Sequence, residues 1–168
     1  MSAAEPTVPV RKTHQVCLVV KDIQRTMENF WDILGIGPWS VYSYEPPGLT
    51  NMTLRGKPQD YSMKLAIAYV GDVCWELVEP LEGPSIYKEF LEQKGEGLHH
   101  IQFQVDDFDE AMAAFEKKGI GVLMGGTFQG GTYAYMDTEE PLRMIAEFST
   151  GRSAGVRPPP ERVWPPQD

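Results

Sequence analysis

The chain has 168 residues, of which 42% are hydrophobic and 23% are charged, the balance of an ordinary globular protein. Its formal net charge of -9 argues against nucleic acid or an anionic membrane surface as a partner, because both attract basic proteins. The apolar runs are far shorter than the roughly 20 residues that a membrane-spanning helix needs, and the first residues lack the apolar core of a signal peptide. We therefore expect a soluble, cytoplasmic protein.

Both cysteines, Cys17 and Cys74, lie inside strand-like runs. Two cysteines are too few for a disulfide framework, so the sequence predicts small, reduced, buried hydrophobes and a reducing compartment.

An internal repeat organises the chain. Residues 14–23 align with residues 99–108, an offset of 85 residues, which indicates a duplicated structural unit. At that offset Asp22 meets Asp107, and the apolar Phe30 meets Phe115. Each copy predicts a strand, then a helix that an aspartate caps at its N-terminus, then a stop that contains glycine.

The predicted fold is α+β, with two βαβββ modules in one chain. In chain order we expect an N-terminal arm (1–11), a first βαβββ module (12–83), a linker helix (84–96), a second βαβββ module (97–150) and a proline-rich tail (151–168). After the two helices, strands are predicted at 39–44, 63–70, 73–79, 121–127, 132–137 and 143–149. The prolines exclude helix and central strand from the tail, which Val163 and Trp164 could anchor.

The polar residues of four strands are expected to share one face of the sheet. Because successive strand side chains point to opposite faces, each module turns one polar residue of its first strand and one carboxylate of its fourth strand away from the helices. These residues are Gln15 and Glu76 in the first module, and His100 and Glu147 in the second. Gln102 follows on the same face as His100 and is the expected substrate-binding residue.

This donor set predicts one divalent metal ion. A carboxylate on an apolar strand is costly unless it is paired, exposed or bound to a metal. Two carboxylates, one imidazole and one amide oxygen suit Zn²⁺, Ni²⁺, Co²⁺, Mn²⁺ or Mg²⁺. Singly, the histidine could be a hydrogen-bonded core residue and each glutamate a solvated one, but their matching positions in the repeat favour a common site. His14 and His99 lie in the other register and are expected to be structural.

Four segments resemble the vicinal oxygen chelate superfamily, which includes glyoxalase I, methylmalonyl-CoA epimerase, ring-cleaving dioxygenases and bleomycin-resistance proteins. These segments are HQVCLVVKDI, GDVCWELVEPL, GLHHIQFQVDDFDEAM and YAYMDTEEPLRMIAEF. The resemblance covers roughly residues 13–150 and implies a U-shaped, partly closed mixed sheet around the metal. The four ligand positions of the family fall on Gln15, Glu76, His100 and Glu147. Members of the family often dimerise, so we expect a homodimer.

The branches of the superfamily are not equally compatible with the sequence. A ring-cleaving dioxygenase needs two histidines and one carboxylate around Fe(II), and Gln15 replaces the first histidine. The ligand set resembles that of zinc-using glyoxalase I, but Val19, Glu96 and Pro80 stand where that enzyme has its glutathione-binding arginines and asparagine. ELVEPLEG and GLHHIQFQVDD look more like methylmalonyl-CoA epimerase, although that enzyme usually has histidine at position 15.

The resemblance implies abstraction of a proton next to a carbonyl, with the metal stabilising the enolate. Glu147 is the first candidate for the base, Glu76 is the opposed acid/base, and Glu45 in the SYEPP segment is a weaker candidate. We expect a metal-dependent epimerase or isomerase of a small molecule, similar to methylmalonyl-CoA epimerase. The alternatives are a glyoxalase I-like lyase with a non-glutathione substrate and a non-catalytic small-molecule binder. The cations considered for CoA phosphates are Lys64, Arg55 and Lys57.

Overall fold

The computed structural model describes residues 6–150 and 158–167. The helices are α1 (Ile23–Leu34), α2 (Ile86–Lys94), α3 (Phe108–Lys117) and the short α4 (Glu139–Leu142). The strands are β1 (Lys12–Val19), β2 (Trp39–Tyr44), β3 (Leu49–Leu54), β4 (Lys57–Pro58), β5 (Met63–Val70), β6 (Val73–Pro80), β7 (Gly97–Gln104), β8 (Val122–Phe128), β9 (Gly131–Met136), β10 (Ile145–Ser149) and β11 (Arg162–Trp164). The α+β fold class predicted from the sequence is confirmed.

The described strands form one mixed sheet in the order β11-β2-β5-β6-β1-β7-β10-β9-β8-β3-β4. In each module the first strand lies parallel to the fourth, as β1 does to β6 and β7 does to β10. The two modules join through the antiparallel pair of β1 and β7. This arrangement places the first and fourth strands of both modules side by side at the centre of an open sheet.

The repeat seen in the sequence is a repeat of helix starts. The side chain of Asp22 accepts a hydrogen bond from the backbone N–H of Arg25 at 2.9 Å, and Asp107 accepts one from Glu110 at 2.8 Å. Each carboxylate satisfies a donor that the first helical turn leaves without a partner. Gly35 ends α1 with a φ of 67°, a left-handed conformation that glycine adopts without strain.

Helices α1 and α3 each cover an apolar cluster on the outer face of the sheet, whereas α2 contributes to the cluster on the inner face. The cluster under α1 contains Val20, Ile23, Met27, Trp39, Val41, Ala66, Ala68 and Leu77. The cluster under α3 contains Phe115, Ala134, Met136, Ala146 and Phe148. A third and larger cluster fills the inner face and includes Tyr61, Tyr87, Tyr133 and Tyr135. The strand alternation predicted from the sequence therefore separates an outer, helix-covered face from an inner one.

A hairpin that the sequence did not predict connects the two ends of the sheet. β3 follows β2 in the chain but pairs with β8 of the second module. Arg55 in the β3–β4 turn forms two hydrogen bonds of 2.7 Å with Glu89 on α2. The ring of Tyr44, at the end of β2, stacks on Phe128 of β8 with 3.7 Å between centroids. The hairpin thus holds the open side of the sheet together.

The described part of the tail is an edge strand. β11 pairs antiparallel with β2, and Trp164 lies opposite Trp39. The Trp164 ring also contacts Trp31 edge-on, with 6.4 Å between centroids, so Trp164 takes the anchoring role expected of it. Residues 151–157 of the predicted tail and residues 1–5 of the predicted arm lie outside the described residues. No helix within 6–150 or 158–167 is long and apolar enough to cross a membrane.

Candidate metal centre

Strand register brings the predicted site residues into two rows on the inner face. One row crosses β6, β1, β7 and β10 and consists of Cys74, Gln15, Gln102 and Glu147. The next row crosses the same strands and consists of Glu76, Cys17, His100 and Ile145. Side chains of adjacent rows on one face are neighbours, so the duplicated first and fourth strands deliver their polar residues to one place.

The four predicted ligands form a continuous chain of contacts. The Nε2 of Gln15 donates to Oε2 of Glu76 at 2.7 Å, and that oxygen lies 3.6 Å from Nε2 of His100. On its other side, His100 Nε2 lies 3.1 Å from Oε2 of Glu147. None of the four residues is more than 2% exposed. The imidazole is therefore flanked by two buried carboxylates.

The carboxylates control the protonation of His100. Burial alone would lower the pKa of this imidazole, but hydrogen bonding and charge from Glu147 and Glu76 outweigh burial and raise the pKa to about 9. Without a metal, an imidazolium at His100 supplies the positive charge that two buried carboxylates require. A bound cation would take over that role and leave the imidazole free to coordinate.

Two buried atoms without hydrogen-bond partners make these residues compatible with a bound cation. Among the described residues, Nε2 of His100 and Oε2 of Glu147 have no partner in hydrogen-bond geometry, although they lie close together. Buried polar atoms are nearly always satisfied, and exceptions often mark a bound ion or a functional site. An imidazole nitrogen and carboxylate oxygens suit the divalent ions expected from the sequence.

Gln15 is oriented toward Glu76 rather than toward a shared centre. Its amide nitrogen faces Glu76, and its amide oxygen accepts from the Cys74 thiol at 3.6 Å. As a metal ligand, Gln15 would have to present its oxygen, which requires a half-turn of the amide. In the structure Gln15 positions Glu76, and its predicted role as a ligand stays a prediction.

Cys17 is a site residue that the sequence analysis missed. One ligand atom each from Cys17, Glu76 and His100 lie within 4.8 Å of one another, a grouping that could hold a metal ion. Burial raises the pKa of the Cys17 thiol well above its usual value, and the charges of Glu76 and Glu147 add to this shift. A thiol binds a metal as the thiolate, so coordination by Cys17 requires a cation to displace its proton. Its position on the same strand face as Gln15 was the available signal.

His99 does not lie in the outer register that was expected. Cys17 pairs with His100 and the next residue, Leu18, pairs with Leu98, so His99 is an extra residue in β7. Such a β-bulge turns two consecutive side chains in similar directions. His99 is 5% exposed, and its Nδ1 lies 2.9 Å from Nδ1 of His100. This correction makes His99 a direct neighbour of the predicted site.

The other predicted residues occupy different surroundings. Gln102 is buried beside Gln15 and Glu147, and its Nε2 has no hydrogen-bond partner within the described ranges. It also lines a cavity of about 510 Å³, which His14, Lys12 and Ser149 border. Glu45 is exposed in the turn after β2, and its backbone carbonyl accepts from Leu49. No described contact links the Glu45 carboxylate to the site.

Tyrosines form the inner wall next to the site. The hydroxyls of Tyr87 and Tyr135 lie 2.6 Å apart, and the ring of Tyr135 lies 4.8 Å from that of His100. The hydroxyl of Tyr61 donates to the carbonyl of Gly125 at 2.8 Å and lies 2.8 Å from that of Tyr133. This wall offers hydroxyl groups and aromatic faces rather than charges.

Solved structures share this fold. A *Streptomyces coelicolor* methylmalonyl-CoA epimerase variant in complex with 2-nitronate-propionyl-CoA is 21% identical, with a TM-score of 0.67 over 90% of this chain and 100% of that chain. The *Mycobacterium tuberculosis* methylmalonyl-CoA epimerase is 16% identical, with a TM-score of 0.61 over 92% of this chain and 97% of that chain. A methylmalonyl-CoA epimerase in complex with methylmalonyl-CoA and NH4+ is 20% identical, with a TM-score of 0.64 over 84% and 94% of the two chains.

The sequence comparisons give the family. The uncharacterized protein YqjC of *Bacillus subtilis* is 34% identical over 65 residues, which are 39% of this chain and 46% of that protein. The match thus spans under half of the length of that relative. The family model described as Glyoxalase/Bleomycin resistance protein/Dioxygenase superfamily matches residues 14–135, well over half of the chain. The chain therefore belongs to the glyoxalase/bleomycin resistance protein/dioxygenase superfamily.

Proposed function

We propose that the protein is a metal-dependent epimerase or isomerase that moves a proton at a carbon next to a carbonyl. One observation carries the proposal: two buried carboxylates, Glu76 and Glu147, lie 3.6 and 3.1 Å from Nε2 of the same imidazole, His100. The shared fold of the methylmalonyl-CoA epimerases supports the reaction class.

The proposed ligands of the cation are Gln15, Glu76, His100 and Glu147, with Cys17 next to them. A divalent cation bound there would supply positive charge beside the substrate carbonyl, which favours enolate formation. In that state His100 would present an unprotonated Nε2 to the cation. The two glutamates would balance the charge of the ion and would take up and return a proton.

Two carboxylates on different strands can serve opposite faces of one carbon. Glu147 would remove the proton from the α-carbon, so that the C–H electron pair moves toward the carbonyl oxygen. Glu76, which must enter this step protonated, would transfer its proton to the other face of the carbon as the carbonyl re-forms, which inverts the centre and leaves the abstracted proton on Glu147. Burial keeps both groups away from bulk water. In such a low-dielectric environment a fixed donor and acceptor contribute more than they would in water.

The substrate is expected to be a compact carbonyl compound. The hydroxyls of the tyrosine wall already pair with one another, and Arg55, one of the cations considered for CoA phosphates, is already held by both oxygens of Glu89. Lys57 is exposed and Lys64 is partly buried on β5. A CoA thioester would therefore have to be held through Lys57, Lys64 or its acyl part.

Solvent deuterium exchange tests the proposal. The protein, loaded with Co²⁺ or Zn²⁺, is incubated in D₂O with methylmalonyl-CoA and, separately, with a small 2-methyl-3-oxo thioester, and mass spectrometry follows deuterium at the α-carbon. We expect exchange that requires metal, falls by at least about 100-fold in Glu147→Gln and persists in Glu116→Gln, an exposed glutamate on α3. Unchanged exchange in Glu45→Gln would exclude Glu45, the third predicted base, and a loss like that of Glu147→Gln would support it. Equal exchange in wild type and Glu147→Gln would refute Glu147 as the base.

A non-catalytic binder is the second candidate, because one observation favours it. The site residues are at most 2% exposed, and tyrosines fill the inner face beside them, which suits a protein that encloses a ligand. Stoichiometric metal and ligand binding without any isotope exchange would support this candidate over the epimerase. The homodimer and the cytoplasmic location stay predictions, and light scattering of the purified protein measures the first.

A further inference from the structure

The β-bulge in β7 places two histidines on the inner face where regular pairing would place one. Cys17 and Leu18 are consecutive in β1, but their partners in β7 are His100 and Leu98. His99 is left without a β1 partner, and its ring meets that of His100 edge-on at 5.2 Å. Bulges next to functional sites commonly re-aim a side chain, so the contact between these two imidazoles is a feature to explain.

The contact fixes which nitrogens carry hydrogen. The two Nδ1 atoms lie 2.9 Å apart, a hydrogen-bond distance, so one must carry the hydrogen and the other a lone pair. His100 directs its Nε2 at Glu76 and Glu147. When that Nε2 binds a cation through its lone pair, the one hydrogen of the neutral imidazole lies on Nδ1 of His100. His99 must then accept it with a bare Nδ1.

Packing alone does not explain a histidine at position 99. Its Nε2 lies near the backbone of Ile86 at the start of α2 but has no partner in full hydrogen-bond geometry among the described residues. Its ring packs against Phe90 and Tyr87, with centroids at 5.0 and 5.3 Å. A buried unsatisfied N–H costs about 1–3 kcal/mol. An apolar side chain in the same aromatic pocket would avoid that cost at Nε2 of His99, but it would leave the Nδ1–H of His100 without an acceptor.

We propose that His99 is a positioning residue that holds His100, through an imidazole–imidazole hydrogen bond, in the tautomer and orientation that aim Nε2 at the cation site. This rests on the proposed function only in naming a cation as the target of Nε2. Metal-binding histidines usually donate their second N–H to a carboxylate, a carbonyl or water, and removing that partner typically weakens binding about 10–100-fold. Here a neutral imidazole takes that place.

Two substitutions separate the hydrogen bond from the packing. His99→Leu removes the acceptor and keeps apolar volume, whereas the amide oxygen of His99→Asn can occupy the position of Nδ1 and accept. Co²⁺ affinity is measured by titration of the visible absorption of the ion, and the melting temperature is measured without metal. We expect about 10–100-fold weaker Co²⁺ binding in His99→Leu and a change of less than about 5-fold in His99→Asn. The melting temperature of His99→Leu should stay within about 5 °C of wild type, because the variant removes the unpaired Nε2–H of His99 while the Nδ1–H of His100 loses its acceptor. Equal affinity in wild type and His99→Leu, or equal losses in both variants, would overturn the proposal.

A second readout needs no metal. In metal-free, ¹⁵N-histidine-labelled protein, we expect a protected Nδ1–H on His100, a lone-pair nitrogen at Nδ1 of His99, and loss of the protected signal in His99→Leu but not in His99→Asn. An unprotonated Nδ1 on His100 would refute the positioning role outright. If wild type binds no Co²⁺ but shows the protected Nδ1–H, the proposed metal function fails while the histidine pair stands.

Discussion

The Nε2 of His100 lies 3.1 Å from the Oε2 of Glu147, and the two side chains are 0% and 1% exposed. Together with Glu76 this contact raises the pKa of His100 to about 9, against the opposing effect of burial. The same geometry governs how the protein should respond to pH, to metal and to substitution of its neighbours.

Without metal, the protein should lose stability as the pH rises from 7 to 9.5. The folded pKa of His100, about 9, exceeds the unfolded value of about 6.5, so its stabilisation is complete below pH 6.5 and is lost as the pH passes through 9. The upper limit is about 3 kcal/mol. The check is thermal unfolding in a chelator at each pH. His100→Gln is the comparison, because it should lack this part of the slope. Parallel slopes for the two proteins would contradict the assignment.

Metal binding should release protons. An imidazolium at His100 must lose its hydrogen before Nε2 can coordinate, so a titration at pH 7.5 should release about one proton per ion from this residue. Affinity should then rise by up to about tenfold per pH unit below pH 9. Calorimetry in buffers of different ionisation enthalpy measures the release. If Cys17 also coordinates, the number should approach two in wild type and fall by one in Cys17→Ala. Binding without proton release would mean that His100 is not a ligand.

Gln15→Met should destabilise the protein by about 1–3 kcal/mol, because it leaves the buried carboxylate of Glu76 without its 2.7 Å amide donor. Gln24→Met is the matched control, since Gln24 makes the same amide–carboxylate contact with Glu28 on the exposed surface of α1. That change should stay within about 0.5 kcal/mol. Urea unfolding measures both variants, and similar losses in the two would show that the Gln15–Glu76 contact contributes nothing special.

Local patterns predicted much of the fold. Asp22 and Asp107 are capping residues whose effect is confined to the first helical turn, and such signals can be read directly from sequence. Strand alternation likewise assigned Gln15, Glu76 and Glu147 to one face, because the period of two is fixed by backbone geometry. The repeat then matched the positions of the polar residues in the two modules, which alternation within one strand cannot do.

The features that the sequence did not reveal depend on long-range pairing or on broken periodicity. In β3, the buried Leu49 and Met52 are three residues apart, and Asn51 has a φ of 51°, so the strand lacks the period of two. Its partner, β8, lies in the other module. In β7 the extra residue, His99, shifts the alternation of side chains between the two faces, and no neighbouring residue in the sequence indicates this bulge. The orientation of the Gln15 amide depends on Glu76 and Cys74, which are distant in sequence.

The hairpin that escaped prediction should be held closed by its ion pair with α2. Arg55→Ala removes two 2.7 Å hydrogen bonds to Glu89, so we expect faster amide hydrogen exchange across residues 49–58. Global stability should fall by no more than about 1 kcal/mol, because the pair is on the surface. Arg11→Ala is the control, since it breaks an exposed ion pair with Asp106 that involves neither the hairpin nor α2. Unchanged exchange at 49–58 in Arg55→Ala would show that β3–β8 pairing alone holds the hairpin.

The tyrosine wall should tolerate no added atom at Gly126. A Cβ there would lie 2.8 Å from the hydroxyl oxygen of Tyr133 and 3.1 Å from that of Tyr61, both closer than ordinary contact. We therefore expect Gly126→Ala to cost about 1–3 kcal/mol, measured by urea unfolding. Gly121→Ala, where a Cβ would meet no atom within 4 Å, should change stability by less than about 0.5 kcal/mol. Adding Tyr133→Phe to Gly126→Ala removes the closest oxygen and should recover part of the loss. Equal stability of Gly126→Ala and Gly121→Ala would mean that the side chains of Tyr61 and Tyr133 can move with little loss of free energy. The wall beside the site would then be easily deformed.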